Sequence, residues 1–243
     1  MKNAQNQLRT AGTYLMAPAE LNACLGVSTV AWQRFDRHWN ELVPDPYAAE
    51  LGTQRLRRYG HFLYNTADQT TAPMPHCAFV QPDNSNPLYV ARERHFQGLT
   101  EQFTNDPLLR HLMALLGDLA VALEDAHQWH VKVTPFRVLA SADRVGDPTP
   151  EGLHRDGVTL VSSLLINRHN AVGGMSSVYD LGGGVRLVET TLREPGTLLL
   201  GDDRRTLHGV TPIRPLDPGA PAWRDVLVIT FAPSAQSGRR QRQ

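Results

Sequence analysis

Short apolar runs separated by turn residues dominate the chain after about residue 129. Six segments are rich in Val, Ile, Leu and Thr and are bounded by Gly, Pro or Asp: VKVTPFRVLA, VTLVSSLLI, GMSSVYDL, GVRLVET, GTLLLGDD and VLVITFA. Short strands separated by turns are typical of an antiparallel sandwich or barrel, whereas a parallel sheet requires helices between its strands. The pattern therefore predicts a β core over about 129–232.

The preceding region, about 1–128, has a pattern that predicts a helical and loop-rich flank. Residues 21–42 combine helix formers with apolar residues at helical spacing and end before Pro44. A second helix is predicted after Asp106, because Asp is a common N-cap, Pro suits the first helical position and the apolar residues of LLRHLMALLGDLAVALEDA fill more than one face. We expect a loop-rich connection over 64–89 and a polar tail over 233–243.

Length and charge favour a single globular domain spanning 1–243. The chain has 243 residues, with 24 Lys and Arg against 24 Asp and Glu. This balance argues against nucleic-acid binding, which depends on an excess of clustered cations. The chain contains neither an apolar run of the roughly 20 residues that a membrane span requires nor the apolar core of a secretory signal. We therefore expect a cytoplasmic protein without a membrane partner, while the oligomeric state stays open.

The cysteines and most of the histidines suggest structural roles. Cys24 and Cys77 are the only two cysteines, too few for a disulfide framework, and we expect both to be small buried residues. His127 and His130 are expected to be structural, or, in the case of His130, to support a ligand from behind.

The triplet His154-Arg155-Asp156 is the candidate metal-binding motif. Side chains two residues apart in an extended segment point to the same face, so His154 and Asp156 can offer donors to one ion. In an antiparallel barrel a later strand can bring His208 beside them. Two neutral imidazoles and one carboxylate suit a non-haem Fe(II) site with open positions for oxygen chemistry. From the spacing alone, the alternative that Asp156 caps a turn and both histidines are surface residues stays open.

Four ordered motifs resemble one enzyme family. They are PEGLHRDGV (150–158), NRHNAVGG (167–174) with the SVYD that follows, HGVTPI (208–213) and RDVLVITF (224–231). The chain is similar here to the bacterial Fe(II)- and 2-oxoglutarate-dependent dioxygenases that include L-isoleucine 4-hydroxylase, over about 57–231 and most strongly after residue 129. The resemblance implies a double-stranded β-helix, a cupin-like jelly-roll barrel, flanked by helices.

Carried onto this chain, the resemblance implies that His154, Asp156 and His208 ligate the iron and carry the catalysis. It also implies that 2-oxoglutarate chelates the iron and that its far carboxylate requires a cation, for which the fork of Arg is best suited. Arg224 is the expected partner because it opens the last strand and alternates onto one face with Thr230. Arg214 is the second candidate.

The resemblance further implies a free L-amino acid, or a close derivative, as substrate. Arg137, Glu151, Arg168 and Tyr179 are candidates to bind its charged groups, although a structural hydrogen bond is an equal alternative for each. We expect hydroxylation of an unactivated carbon with release of succinate and CO2, dependent on Fe(II), 2-oxoglutarate and O2, with ascorbate as an activator. Two alternatives stay open: a cupin-like metalloenzyme that does not use 2-oxoglutarate, and a non-enzymatic barrel that binds a metal or a small molecule.

Overall fold

The computed structural model describes residues 1–79 and 93–234. Residues 80–89 of the predicted loop-rich connection and residues 235–243 of the predicted polar tail lie outside the described residues. Within the described ranges the chain is mainly β with helices beside the sheet, which confirms the predicted class.

The N-terminal half contains all the α-helices of the described residues, together with five strands. In chain order these are α1 (Lys2–Ala11), β1 (Thr13–Met16), α2 (Pro18–Leu25), α3 (Thr29–Asp36), a 3-10 helix (Arg37–Glu41), β2 (Val43–Pro44), α4 (Pro46–Glu50), β3 (Gln54–Arg57), β4 (Gly60–Asn65), β5 (Thr70–Pro73), α5 (Glu101–Thr104) and α6 (Pro107–Leu123). The flank predicted over 1–128 is therefore not only helical and loops. Its short strands lack the apolar alternation of independent strands and form by pairing with the barrel.

The described part of the second half is built of nine strands. They are β6 (Gln128–Ala140), β7 (Leu160–His169), β8 (Ala171–Gly173), β9 (Met175–Asp180), β10 (Arg186–Thr191), β11 (Leu198–Asp202), β12 (Thr206–Val210), β13 (Ile213–Pro215) and β14 (Ala222–Pro233). Six of them lie at the predicted segments, while β8, β12 and β13 were not among those segments. The longest pairing joins β14 to β6, from Ala222 opposite Ala140 to Pro233 opposite Trp129.

Three antiparallel sheets form the body of the protein. The largest has nine strands, with the order β1-β11-β7-β14-β6-β3-β2 and with β4 and β5 attached beside β6. A three-stranded sheet has the order β10-β9-β12, and β13 pairs with β8. Leu165, Val178 and Val226 belong to one buried cluster that joins the nine-stranded and three-stranded sheets. This arrangement leaves the face of β6 and β14 that points to the smaller sheet available for a site.

The helix α6 covers the other face of the large sheet. The Asp106 carboxylate accepts a hydrogen bond from the Leu108 N–H at 2.8 Å, as the sequence predicts for an N-cap. Leu112 and Leu116 are buried in the same cluster as Val131 and Phe231 of the sheet. The predicted helix is thus confirmed, and it lies against the sheet through its apolar face.

The single helix predicted over 21–42 is wrong, because the structure divides this segment into α2, α3 and the 3-10 helix. Gly26 ends α2 in the left-handed region with φ of 62°, where glycine is the favoured residue. The Ser28 hydroxyl then accepts a hydrogen bond from the Ala31 N–H and starts α3. Local capping by these two residues thus overrides the helical periodicity.

Two further sequence expectations concern membranes and cysteines. None of the helices in the described residues is both long and apolar enough to cross a membrane. Cys24 is half-buried and Cys77 is exposed, and both are free thiols, so the expectation of two buried cysteines is wrong. The Cys77 sulfur lies 3.6 Å from Nδ1 of His61 at the surface of β4.

Candidate active site

His154, Asp156 and His208, the metal triad, come together at one end of the barrel. Each offers a donor atom, and these atoms all lie within 4.8 Å of one another. His154 and His208 form an isolated antiparallel bridge, with N–H to O distances of 3.0 and 2.8 Å in the two directions. Gly209 permits this approach, since a Cβ there would lie 3.3 Å from the Gly152 carbonyl oxygen. The backbone therefore holds the two histidines together before any metal binds.

Neighbouring oxygen atoms orient the two imidazoles of the triad. The His154 Nδ1 lies 3.0 Å from the Gly152 carbonyl oxygen. Because a carbonyl can only accept, Nδ1 carries the proton and Nε2 keeps its lone pair for a metal. The His208 Nε2 lies 3.8 Å from an Asp156 carboxylate oxygen.

Asp203 fixes the loop that carries Asp156. Its carboxylate is fully buried and accepts backbone N–H groups from Asp156 at 3.1 Å, Gly157 at 2.7 Å and Val158 at 3.0 Å. The same carboxylate lies 3.7 Å from the His208 Nδ1. Burial and then repulsion from Asp156 raise the pKa of Asp203 to about 7. The sequence analysis missed this residue, although its position just before the His208 strand could have suggested a supporting role.

The donor set fits a ferrous ion. Burial, followed by the neighbouring His154, lowers the pKa of His208 to about 4, so its imidazole is neutral and ready to ligate at physiological pH. The His208 Nδ1 is a buried polar atom without a hydrogen-bond partner among the described residues, and it faces the Asp203 carboxylate. A ligating histidine commonly donates its second N–H to a carboxylate, so a small rotation of His208 on metal binding would satisfy both nitrogens.

A cavity opens from the metal triad and runs between the large and the three-stranded sheets. It is lined by the triad, by alternate residues of β6 and by alternate residues of β14. Arg224 and Thr230, both expected to bind 2-oxoglutarate, line this cavity, and so does Glu151, expected to bind the substrate. The Glu151 carboxylate lies 3.5 Å from the His154 Nε2.

Arg224 places a buried guanidinium in the cavity. It is 1 % exposed, and its Nε and Nη2 have no hydrogen-bond partner among the described residues. Burial, followed by repulsion from Arg168, lowers the pKa of Arg224 to about 10, so the group stays charged at neutral pH. Gly174 leaves room for this side chain, since a Cβ there would lie 3.3 Å from the Arg224 Cδ.

Ser176 adds a hydroxyl to the same cavity. Its buried Oγ has no hydrogen-bond partner within the described part of the chain. An unpaired buried cation together with a free hydroxyl is suited to bind a carboxylate. The sequence analysis missed Ser176, although alternation along β9 with Val178 puts both residues on the cavity side.

Arg214 does not reach the cavity. It lies on β13 opposite Val172 and is exposed. Tyr179 is absent from the described cavity lining as well, because it alternates with Val178 and faces away. The structure therefore leaves Arg224 as the expected 2-oxoglutarate cation that lies in the cavity.

Arg137 and Arg168, both expected to bind the substrate, instead form hydrogen bonds with other groups of the protein. Arg137 forms a bidentate pair with the buried Asp225, at 2.8 and 2.7 Å. The Arg168 guanidinium donates to the backbone carbonyl oxygens of Leu192, Ala171 and Gly173. Neither arginine is in the cavity lining. For Arg137 the reason is alternation, because the residues of β6 that face the cavity are the even-numbered ones from Lys132 to Val138.

His130 and His127 also lie outside the cavity lining, as expected of structural histidines. The His130 Nδ1 lies 3.1 Å from the His61 Nε2 across the β4–β6 pairing. The His127 carbonyl oxygen accepts hydrogen bonds from the backbone and the hydroxyl of Thr66. His130 therefore pairs with another histidine and does not support a ligand of the triad.

Four cations on one side of the cavity were not anticipated. This cationic wall consists of Arg55, Arg57, Arg94 and Lys132. Arg55 and Arg57 lie two positions apart on β3, so the alternation that identified His154 and Asp156 could also have placed both guanidinium groups on one face. Charged residues on short strands are normally solvent-exposed, so the sequence alone does not lead one to expect that these cations line a cavity.

The family model for the 2OG-Fe dioxygenase matches residues 36–230 of the chain. A curated relative, 3(1)-hydroxy-L-isoleucine 4-dioxygenase of Pantoea ananatis (strain AJ13355), is 25% identical over 210 residues, which cover 82% of this chain and 80% of the relative.

Two solved structures are similar to this chain in fold. A bsmA homolog from Methylobium petroleophilum PM1 has a TM-score of 0.87 and 35% identity, covering 96% of this chain and 93% of that chain. IDO from Bacillus thuringiensis has a TM-score of 0.78 and 17% identity, covering 96% of both chains, and supports the fold alone. The expected jelly-roll barrel is thereby confirmed. The chain belongs to the 2OG-Fe dioxygenase family, whose members use Fe(II), 2-oxoglutarate and O2.

Proposed function

We propose that the protein hydroxylates an unactivated carbon of a free L-amino acid or a close derivative. The overall reaction converts the substrate, 2-oxoglutarate and O2 into the hydroxylated product, succinate and CO2. The observation that carries this proposal is one cavity that contains the metal triad, the buried Arg224 and further side chains of both charge signs. A zwitterion requires both signs in a partly dry pocket.

Each group of side chains has a separate task in this proposal. His154, Asp156 and His208 would hold Fe(II), which supplies the activation of O2 and the oxidation of the C–H bond. Arg224, with Ser176 and Thr230, would bind the far carboxylate of 2-oxoglutarate.

On the substrate side, Glu151 would accept hydrogen bonds from the substrate ammonium. Val158, Val161 and Val228 line the cavity, exclude water and hold the substrate side chain in one orientation. The relative named above acts on an isoleucine derivative, which supports a branched aliphatic amino acid as a first candidate. The family assignment favours 2-oxoglutarate over the two alternatives without it, and a cytoplasmic location stays a prediction.

The test is a panel of the twenty amino acids and common derivatives with the purified protein, ferrous iron, 2-oxoglutarate and ascorbate. We expect one or a few compounds to gain one oxygen by mass spectrometry, with succinate formed in equal amount. His154→Ala is the matched control and should give neither product. Succinate formation that no amino acid stimulates above the substrate-free background would contradict the proposed substrate class, while the family assignment would stand.

A further inference from the structure

Arg57 carries a buried positive charge to which no carboxylate of the described residues is hydrogen-bonded. It is 3 % exposed, and its Nε and Nη2 have no hydrogen-bond partner among the described residues. The nearest carboxylate is Asp45, whose oxygen lies 3.9 Å from the Arg57 Nη1, beyond hydrogen-bond distance. Burial and the neighbouring Arg55 hold the pKa of Arg57 well below its usual range. Within the described part of the chain, a buried guanidinium in this state lacks a hydrogen-bonded counter-ion and is suited to bind an anion that enters the cavity.

Asp45 is already occupied by Arg55. One Asp45 oxygen accepts from the Arg55 Nε at 2.9 Å and Nη2 at 2.8 Å. The other oxygen accepts from the backbone N–H groups of Tyr47 and Ala48 at 3.0 and 3.1 Å. Asp45 therefore pairs closely with Arg55 and, among the described residues, makes only a longer contact with Arg57.

Aromatic rings hold the Arg57 guanidinium in one place. Its Cζ lies 3.5 Å from the centroid of Phe96, 4.8 Å from that of Phe136 and 5.2 Å from that of Phe79. Stacking against rings fixes the plane of a guanidinium but leaves its N–H edge available for a planar, bidentate partner. A carboxylate has the matching geometry.

Arg57 and Arg224 lie on strands that flank β6 on opposite sides. Arg57 lies opposite Phe136, whereas Arg224 lies opposite Val138 on the other side of β6. Lys132, whose ammonium interacts with the Asp156 carboxylate, marks the metal end of the same strand. Lys132 and Phe136 are four positions apart on β6, about 13 Å at roughly 3.3 Å per residue. Arg57 and the metal triad line the same cavity, so a small molecule held at the Arg57 guanidinium shares that cavity with the metal triad.

We propose that Arg57 binds the free carboxylate of the substrate, so that the enzyme accepts the free acid and rejects its amides, esters and carrier-linked forms. The proposal rests on the function proposed above and narrows its substrate class. A neutral amide cannot neutralise the guanidinium and would bury it without a counter-ion, which is the basis of the discrimination.

The test compares acids with their carboxamides in the anaerobic enzyme loaded with Fe(II) and 2-oxoglutarate. The probes are L-isoleucine, L-leucine and L-methionine, each beside its carboxamide, with binding measured by calorimetry. We expect at least one acid to bind the wild-type enzyme about tenfold or more tighter than its amide, because a hydrogen bond to a charged group is lost in the amide. Arg57→Gln should reduce this ratio to within about twofold and leave 2-oxoglutarate binding unchanged.

Three comparisons make the result decisive. Arg144→Gln removes the same charge from an exposed position and should keep the wild-type ratio. Arg57→Lys should restore part of the ratio, because it returns the charge without the fork. If the Gln variant unfolds, Arg57→Met serves in its place and should likewise lose the preference for the acid over the amide. Thermal unfolding shows whether each variant is folded.

The proposal is overturned if none of the acids binds the wild-type enzyme tighter than its amide does, or if the Arg57→Gln variant keeps the wild-type ratio of acid to amide affinity. It is also overturned if Arg57→Gln weakens the binding of 2-oxoglutarate instead of the binding of the acid. Failure of the proposed function has a different signature. In that case the acid-over-amide ratio persists and depends on Arg57, while aerobic mixtures form no hydroxylated product.

Discussion

The metal triad and the cationic wall line one cavity but are built in different ways. The triad comes from the barrel half of the chain, where a backbone bridge and the buried Asp203 hold each ligand. The wall comes mainly from β3 and the segment around Phe96, where aromatic rings hold a cation whose charge no local partner cancels. The metal triad is thus held by contacts within the protein, whereas Arg57, which we assign to the substrate carboxylate, is held by rings and is available to bind a ligand.

The largest effect is expected when the triad is broken. His208→Ala removes one of three ligands, so we expect no measurable metal-dependent turnover and a large loss of Fe(II) affinity, with the fold retained because the β12 backbone pairing does not involve the side chain. Metal affinity by calorimetry and succinate formation check this. If the variant kept substantial activity, His208 would not be a ligand.

A smaller loss is expected from Asp203→Asn. The amide has one acceptor oxygen in place of two, so it cannot receive all three backbone N–H groups from 156–158. We expect Fe(II) affinity to fall roughly 10- to 100-fold, the usual effect of a lost supporting partner. Asp143→Asn, at an exposed position, is the control. Equal affinity in both variants would remove Asp203 from the metal site.

Arg137→Gln tests whether the predicted substrate arginine is structural. The change leaves Asp225 buried and unpaired, and burial already raises the pKa of Asp225 to about 6. We expect the free energy of unfolding to fall by about 3 kcal/mol, with the KM of the substrate changed less than twofold. Arg137→Gln with Asp225→Asn should recover most of the stability. A large rise in KM without loss of stability would instead favour the sequence-based assignment.

The smallest effect concerns pH and a histidine outside the cavity. Burial, followed by His130, lowers the pKa of His61 to about 4. Because the ordinary value is about 6.5, the unfolded chain binds the proton first, and stability is lost as pH falls from about 6.5 toward 4. In urea unfolding of the metal-free protein, His61→Asn should therefore lose less stability between pH 6.5 and 5 than wild type does. Equal losses would contradict the shifted pKa.

The barrel could be predicted from sequence because its signals are local. β-branched runs bounded by turns identify β6, β7 and β14, and alternation puts Arg224 and Thr230 on one face. The same rule applied to β6 would have excluded Arg137, since Phe136 and Val138 face the cavity. To apply that rule, one must know whether the even-numbered or the odd-numbered residues of a strand face the cavity. Only the pairing of the whole strands decides this.

The cationic wall could not be predicted because its cause is not local. Arg55 and Arg57 are buried only after β3 pairs with β6, which brings Phe136 against both, and after Phe79 and Phe96 pack against Arg57. In the sequence they look like residues of an exposed strand. The break at Gly26 has a different origin, because the cap at Gly26 and the N-cap at Ser28 are local signals that the helical periodicity of the segment obscured.

A crystal structure of the protein grown with Mn(II) and 2-oxoglutarate without oxygen tests the central claim most directly. The account predicts anomalous density for one metal ion bonded to His154, Asp156 and His208, with the far carboxylate of 2-oxoglutarate on Arg224. Metal bound elsewhere, or 2-oxoglutarate seated on Arg57, would contradict it.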